Sequence, residues 1–206
     1  MSPTVRVPPI VAVSPRPWEG SGRRQETTLA QAAASNLGAA GSEAKLMSTP
    51  VRYSYRRLTR ADVSLLKDLL GVFGEAFGEI DTYQHSVPGD DYLIRLLTKR
   101  HFIAVVAMNG KEVVGGLAAY ELDKFEQDRR EIYIYDLAIG QSHRRRGVAT
   151  GLIGELRRIA SKRNVSVIFV QANPEDSAAI ALYESLGTKE TAYHFDIEVL
   201  PSDTAV

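Results

Sequence analysis

The chain of 206 residues is 44% hydrophobic and 24% charged, and its 25 basic side chains balance 25 acidic ones. This apolar content suffices for a folded core and excludes disorder of the whole chain, while the neutral balance argues against a dedicated nucleic-acid binder. The sequence has no cysteine, which excludes disulfides, thiolate metal sites and a cysteine nucleophile. No apolar run approaches the ~20 residues that cross a bilayer, so we expect no membrane-spanning segment.

Residues 1–46 differ in composition from the rest of the chain. They hold five of the nine prolines, an Ala/Gly/Ser-rich stretch over 30–42 and a single aromatic residue, Trp18. Such a segment cannot bury enough surface to offset the entropy of ordering it, so we expect a disordered extension. It lacks the continuous apolar core of a secretory signal, and we expect a cytoplasmic protein; a transit peptide is the alternative interpretation of this acidic-poor leader.

Regular hydrophobic patterning begins at Val51 and predicts ten elements in the order β-α-α-β-β-β-α-β-α-β. The predicted strands are 51–55, 101–108, 112–120, 131–139, 165–172 and 191–199. The predicted helices are 63–77, 90–97, 147–160 and 177–186. We therefore expect an α/β (α+β) fold with a mixed central sheet and helices on both faces, formed by a single domain over residues 47–206.

Local signals predict where some of these elements begin and turn. Thr59 and Asp62 resemble a capping box ahead of the first helix, and Asp90 or Asp91 can cap the second. The pair Asn109-Gly110 between two apolar strands indicates a tight hairpin. No internal repeat is visible.

The stretch over 136–150 is the most informative, because a buried strand enters a basic glycine-containing loop that leads directly into a helix. The first amides of that helix lack internal partners and lie at the positive end of its dipole. Small residues at Gly147 and Ala149 would let a pyrophosphate approach these amides, and Arg144–Arg146 can add charge-assisted contacts. The alternative interpretation is a solvated basic run on an ordinary strand-to-helix turn.

Two motifs in this half of the chain resemble the GNAT N-acetyltransferase superfamily. Arg144-x-x-Gly147-x-Ala149 is similar to its acyl-coenzyme A loop, whose pattern is Gln/Arg-x-x-Gly-x-Gly/Ala. The second is Ala179-x-x-Leu182-Tyr183-x-x-x-Gly187, although the usual asparagine seven residues before the tyrosine is Asp176 here. The GNAT fold implied by this resemblance agrees with the predicted order of elements.

Four further blocks resemble the type I aminoglycoside 3-N-acetyltransferases more closely. They are residues 125–127, 131–138, 170–172 and 194–197, and the resemblance covers roughly Arg52 to Ser202. Asn173 departs from the acidic residue expected after Gln171-Ala172, which implies a change in substrate preference.

This resemblance implies an enzyme that transfers the acetyl group of acetyl-CoA to the 3-amino group of an aminoglycoside such as gentamicin, by direct transfer through a tetrahedral intermediate. Such an activity confers antibiotic resistance, and enzymes of this type usually form homodimers. Two alternatives stay open, namely a protein, peptide or polyamine N-acetyltransferase, and a non-catalytic module that binds acetyl-CoA or a cation.

On the cofactor side, the resemblance implies that the pantetheine arm lies along Leu137–Ile139, with the Leu137 amide facing the developing oxyanion. Tyr183 is the candidate general acid for the leaving thiolate, because a tyrosine keeps its proton up to a pKa of ~10; a core tyrosine is the alternative. The candidate cofactor-binding residues are Leu137, Ala138, Ile139, Arg144, Arg145, Arg146, Gly147, Val148, Ala149, Thr150, Asp176 and Tyr183.

On the amine side, Asp136 is the candidate general base or amine anchor, and Glu131 is the second candidate. Strict alternation puts Glu131, Tyr133 and Tyr135 on one face of the strand and Asp136 on the other, whereas a β-bulge, common here in the superfamily, would change that phase. Otherwise, a carboxylate in a strand is most often solvated or half of an ion pair.

A polycationic substrate needs an acidic site, and carboxylates cluster between the first two predicted helices. Any one of them is equally well a solvated surface group, but as a set they fit a polyamine. The candidate substrate-binding residues are Glu75, Asp81, Asp90, Asp91, Glu126, Tyr135, Asp136 and Asp196, with Glu79 and Glu131 nearby. The four histidines show no metal-ligand spacing, so we expect no metal.

Overall fold

The computed structural model describes residues 52–195 and 197. The extension predicted over 1–46 and the candidate Asp196 lie outside the described residues. Contacts divide the chain into two units, one of Val51–Glu190 and one of Met1–Pro50 with Thr191–Val206. The single domain predicted over 47–206 stays a prediction, and the elements below belong to the first unit.

The described strands form one mixed sheet in the order β1-β2-β3-β4-β5. Neighbouring strands are antiparallel except β4 and β5, which are parallel. The strands are β1 (Tyr53–Arg57), β2 (Phe102–Asn109), β3 (Glu112–Asp123), β4 (Arg130–Ile139) and β5 (Val165–Val170). The predicted hairpin is confirmed, since Asn109 pairs with Glu112 and Gly110 turns the chain at a φ of 62°.

Helices cover both faces of the sheet, as predicted. The helices are α1 (Val63–Phe77), α2 (Asp90–Thr98), α3 (Val148–Ala160) and α4 (Ser177–Glu184). On one face, Phe73 of α1 and Leu93 of α2 pack with Val106 of β2. On the other face, Leu152 of α3 packs with Ile134 of β4. The fold is the GNAT fold expected from the sequence.

The strand predicted over 191–199 is wrong for the residues that are described there. Residues 191–195 and 197 have no strand structure, and Tyr193, Phe195 and Ile197 expose 86%, 76% and 89% of their surface. Their alternating pattern suits a strand, but a strand also needs a hydrogen-bonded neighbour and a covered face.

Both predicted helix caps differ from the structure. The first helix begins at Val63 with Asp62 at its N-cap, and the Asp62 carboxylate accepts hydrogen bonds from the backbone N (2.9 Å) and Oγ1 (2.7 Å) of Thr59 and pairs with Arg56. These contacts form a turn ahead of the helix rather than a reciprocal box. The second helix has Gly89 at its N-cap, and Asp90 is its first residue, paired with Lys67 of α1.

Candidate active site

A β-bulge in β4 decides which side chains face α1. Ala118 of β3 pairs with Asp136 and the next residue, Ala119, pairs with Ile134, which leaves Tyr135 as the extra residue. The ring of Tyr135 contacts the ring of Tyr133, with 5.9 Å between their centroids. Asp136 accepts a hydrogen bond from Tyr83, which follows α1 in the chain. Tyr133, Tyr135 and Asp136 therefore lie on the same face of the sheet, the face that α1 covers. The strict alternation that separated Asp136 from the tyrosines is therefore wrong, because the bulge shifts its phase.

Strands β4 and β5, at one edge of the sheet, separate part-way along β4. They pair from Arg130 and Val165 as far as Ile134 and Val170, whereas β4 stays paired with β3 up to Ile139. Within the described ranges, the β5 side of β4 over residues 135–139 thus has no strand partner. This open edge contains the stretch predicted for the pantetheine arm, and an extended amide chain fits it because backbone N–H and C=O groups require partners.

The loop between β4 and α3 leaves the start of α3 open to an anion. Gly147 is the N-cap, with a φ of 76°, and no side chain caps the helix. A Cβ at Gly147 would have no heavy atom within 4 Å among the described residues, so the approach to the first amides is clear. The loop fits the pyrophosphate of coenzyme A, because uncapped first-turn amides bind anions.

The three arginines of this loop are exposed, and no described carboxylate forms an ion pair with them. Arg144 donates from Nε to the carbonyl oxygen of Ile139 at 3.0 Å, which fixes the loop to the end of β4. Arg145 has a φ of 61°, a left-handed conformation uncommon for a side chain with a Cβ. The loop therefore offers uncompensated positive charge beside the open helix end.

The second motif lies at the start of α4 and within it. Asp176 accepts a hydrogen bond from the backbone N of Ala179 at 2.9 Å, so one of its carboxylate oxygens caps α4. Tyr183 is partly buried against the α3-side core, and its hydroxyl bonds to no described residue. Burial, and then the charge of Asp176, raise the pKa of Tyr183 to about 12, so its hydroxyl keeps its proton at neutral pH.

Asp136 is the most perturbed carboxylate of the site. Burial raises its pKa to about 6, the hydrogen bond from Tyr83 lowers it and the charge of Glu79 adds to the rise. The Tyr83 hydroxyl donates to Oδ1 of Asp136 at 3.2 Å, and burial and the charge of Asp136 raise the pKa of Tyr83. A carboxylate with this pKa is ionised at neutral pH and is also a stronger base than an exposed aspartate.

Tyrosines surround Asp136 on the α1 face. Tyr120 and Tyr135 meet edge to face at 5.8 Å, and Tyr133 stacks on Phe169 at 5.1 Å. The pKa of each of these tyrosines is raised first by burial, and the charge of Asp136 contributes in every case. The sequence alone did not identify Tyr83, Tyr120 or Tyr133 as site residues. Tyr120 and Tyr133 pair with one another on neighbouring strands, and that pairing could have placed them together.

The predicted acidic cluster does not assemble around Asp136. Glu131 and Glu126 pair with Lys124, at 3.6 Å and 3.2 Å, and also with Arg129, at 3.6 Å and 3.9 Å. Asp81 pairs with His85. The pairs with Lys124 and Arg129 compensate the charges of Glu126 and Glu131, which the prediction assigned to the substrate.

Two further members of the cluster lie apart from one another. Glu75 lines a cavity of about 430 Å³ beside Gly140–His143, at the end of β4 that carries the phosphate loop. Asp91 is exposed and has no ion pair in the described part of the chain. Glu79 is the cluster member whose charge acts on Asp136.

Comparison with known proteins identifies the family. The model of the Acetyltransferase (GNAT) family matches residues 67–188. The chain belongs to this family. As a GNAT protein, it is 50% identical to a solved aminoglycoside acetyltransferase, HMB0005, from an uncultured soil metagenomic sample, with a TM-score of 0.71 over 72% of this chain and 99% of that one.

Other relatives of this GNAT chain differ in their named substrates. The soil metagenomic aminoglycoside acetyltransferase meta-AAC0020, solved with sisomicin, is 27% identical, with a TM-score of 0.67 over 72% of this chain and 97% of that one. The [ribosomal protein bS18]-alanine N-acetyltransferase of Escherichia coli K12 is 32% identical over 76 residues, which is 37% of this chain and 50% of that enzyme. Mammalian N-acetyltransferase 8 relatives are matched over 39–44% of their length.

The described residues carry neither a membrane helix nor a metal site. None of their helices is long and apolar enough to cross a bilayer. No group of three or more His, Asp or Glu side chains among residues 52–195 and 197 could hold a metal ion.

Proposed function

We propose that this protein transfers the acetyl group of acetyl-CoA to an amino group of an aminoglycoside, the 3-amino group by resemblance, and so confers resistance. The observation that carries the proposal is the 50% identity to a solved aminoglycoside acetyltransferase over 99% of that protein. The second support is geometric, because Asp136 lies at the bulge of β4, beside the open strand edge over 135–139.

Acetyl-CoA, when bound, supplies the acetyl group as an activated thioester. On the cofactor side, the first-turn amides from Val148 to Thr150 and the loop arginines would hold the pyrophosphate, and Ala138 and Ile139 would contact the pantetheine arm. The Leu137 amide donates to the acetyl oxygen as negative charge develops on it. Tyr183 keeps its proton, with a pKa of about 12, and delivers it to the leaving sulfur.

Asp136 acts on the amine. An aminoglycoside amine arrives largely as ammonium, and it must lose a proton before its lone pair can attack the acetyl carbon. With a pKa of about 6, the Asp136 carboxylate is ionised at neutral pH and accepts that proton. Glu131 is less suited to this role because Lys124 and Arg129 both pair with it.

The drug binds on the α1 face of the sheet, where Asp136 lies. The half-buried rings of Tyr120 and Tyr135 offer π-faces to ammonium groups and phenol hydroxyls to sugar hydroxyls, whereas Tyr133 is buried against Phe169 and donates its hydroxyl to Gln171. Exposed Asp91 forms no ion pair among the described residues and is available to an ammonium group of the drug, whereas Asp81, Asp90 and Glu126 are already paired. A homodimer and a cytoplasmic location remain part of this proposal.

A second candidate is acetylation of a protein amine, which the 32% identity to the bS18-alanine N-acetyltransferase favours. One thiol-release assay separates the candidates, with sisomicin, gentamicin, spermidine, a lysine peptide and an alanine-terminated peptide as acceptors. Release with the two drugs alone supports the proposal, and release with a peptide alone overturns it in favour of a protein substrate. Cofactor binding without release from any acceptor indicates a non-catalytic module.

A further inference from the structure

Tyr83 links the connection between α1 and α2 to strand β4. It lies in a short turn, Asp81–His85, and its ring contacts Phe73 and Phe77 of α1, with centroids 5.9 and 5.6 Å away. Its hydroxyl then reaches Oδ1 of Asp136 at 3.2 Å. The ring is therefore held by the helix while the hydroxyl is directed at the strand.

The turn that carries Tyr83 is fixed to α1 by a neighbouring side chain. Gln84 donates from Nε2 to the carbonyl oxygen of Gly71 at 3.0 Å. A Cβ at Gly74 would lie 2.9 Å from that same Nε2 and 3.3 Å from the Cβ of Tyr83, so the turn packs closely against α1 at this glycine. The position of the Tyr83 hydroxyl is thus set by packing.

The hydrogen bond occupies one oxygen of the Asp136 carboxylate. Oδ1 accepts from Tyr83, and no described residue donates to Oδ2. A carboxylate whose first oxygen is fixed cannot rotate freely, and its second oxygen keeps its lone pairs for another donor. An amine that approaches β4 would meet this oriented oxygen.

We propose that Tyr83 is a positioning residue, whose hydroxyl orients the Asp136 carboxylate so that Oδ2 receives the proton of the acceptor amine. This inference rests on the proposed function, because it takes Asp136 as the group that accepts the proton. It adds a residue from an irregular turn that has no motif of its own.

The groups that act on Asp136 determine what loss of the hydroxyl would do. They are Tyr83 and Glu79 from the chain after α1, Tyr120 from β3, and Tyr133 and Tyr135 from β4. Of these, Tyr83 alone donates a hydrogen bond to Asp136 in the described structure. Without that bond, burial and the charge of Glu79 remain, and both raise the pKa of Asp136. The pKa of Asp136 must then rise.

The test is Tyr83→Phe, which keeps the ring against Phe73 and Phe77 but removes the hydroxyl. We expect the acidic limb of kcat/KM for sisomicin to move to higher pH, with a loss of about tenfold at pH 6 and a smaller loss at pH 8. Tyr92→Phe is the matched control, because the exposed Tyr92 makes no hydrogen bond to Asp136 among the described residues; its acidic limb should stay in place.

A titration without substrate separates this inference from the proposed function. The ¹³C signal of the Asp136 carboxyl, assigned by its absence in Asp136→Asn, should titrate at higher pH in Tyr83→Phe than in the unaltered protein. An unchanged titration overturns the inference. A shifted titration in a protein that acetylates no drug supports the hydrogen bond's effect on Asp136 and overturns the proposed function instead.

A second variant covers the case in which Tyr83→Phe fails to fold. Gln84→Leu keeps the tyrosine hydroxyl but removes the hydrogen bond that fixes the turn to Gly71. We expect it to shift the acidic limb in the same direction by a smaller amount. An acidic limb identical to that of the unaltered protein would count against a positioning role.

Discussion

Gly151 of α3 lies directly against Tyr55 of β1, so that a Cβ at Gly151 would come within 2.0 Å of the tyrosine Oη. Contacts under 3.0 Å force one of the partners to move, and here the partner is a ring packed against the core. Gly151 is in the first turn of the helix whose amides face the predicted pyrophosphate site. The closeness of β1 and α3 therefore sets the position of the phosphate loop.

Gly151→Ala should displace either Tyr55 or the start of α3. We expect overpacking to lower the free energy of unfolding by about 1–3 kcal/mol and to weaken binding of coenzyme A. Gly154→Ala is the matched control, because a Cβ there meets nothing within 4 Å and alanine favours a helix. Urea unfolding and calorimetric titration with coenzyme A measure both effects, and equal stability of the two variants would contradict the prediction.

Asp136→Asn should remove the carboxylate that we propose as the base and keep the shape of the side chain. We expect aminoglycoside acetylation to fall by ~10²–10⁴-fold, the usual contribution of general base catalysis, while acetyl-CoA binding persists. In the unaltered enzyme the rate should fall below about pH 6, where the Asp136 carboxylate takes up a proton. Asp68→Asn, an exposed position on α1, serves as the control. Near-normal turnover of Asp136→Asn would make Glu131 the next residue to test.

The same substitution should stabilise the fold at neutral pH. The folded pKa of Asp136 is about 6, raised from 3.8, so the folded state binds the proton more tightly than the unfolded chain does. The contribution of the Asp136 carboxyl to the stability of the fold is therefore lost as the pH rises from about 4 through 6. We expect the free energy of unfolding, measured with urea, to be higher in Asp136→Asn than in the unaltered protein by about 1–3 kcal/mol at pH 8 and by clearly less at pH 5. A gain that does not depend on pH would point to a cause other than the charge.

Gly147→Glu should weaken cofactor binding far more than drug binding. It adds a negative charge at the proposed pyrophosphate site, at a residue whose φ of 76° is strained for any side chain. Gly147→Asn is the matched control, since asparagine tolerates this conformation and carries no charge. Calorimetric titrations with coenzyme A and with sisomicin distinguish the two effects. Equal weakening of both ligands would mean that the loop has another role.

Much of the fold could be predicted from the sequence because its signals are local. The helical spacing around Leu152 and Leu156 and the apolar strands joined at Gly110 predicted the right types of element. The observed helix ends differ from the predicted ones because they depend on the contacts of single side chains such as Asp62. The phosphate loop could be proposed from the sequence because its glycine and arginines are contiguous.

The arrangement around Asp136 could not be predicted in the same way. A bulge is one extra residue, and nothing in the alternation of β4 identifies Tyr135 as that residue. Tyr83 comes from an irregular turn, so no periodicity relates it to Asp136. The ion pairs of Glu126 and Glu131 were also not foreseen, although their partners Lys124 and Arg129 are close to them in sequence.

The separation of β4 from β5 after Ile134 and Val170 has a consequence for the lifetime of the protein. A donor molecule that pairs with residues 135–139 adds main-chain hydrogen bonds that the unfolded chain lacks, so binding is linked to folding. At a concentration 100 times its Kd, such a ligand adds about 2.7 kcal/mol to the free energy of unfolding. Proteolysis that proceeds through the unfolded state would slow about a hundredfold, so a cell rich in acetyl-CoA would keep the enzyme longer than a starved one.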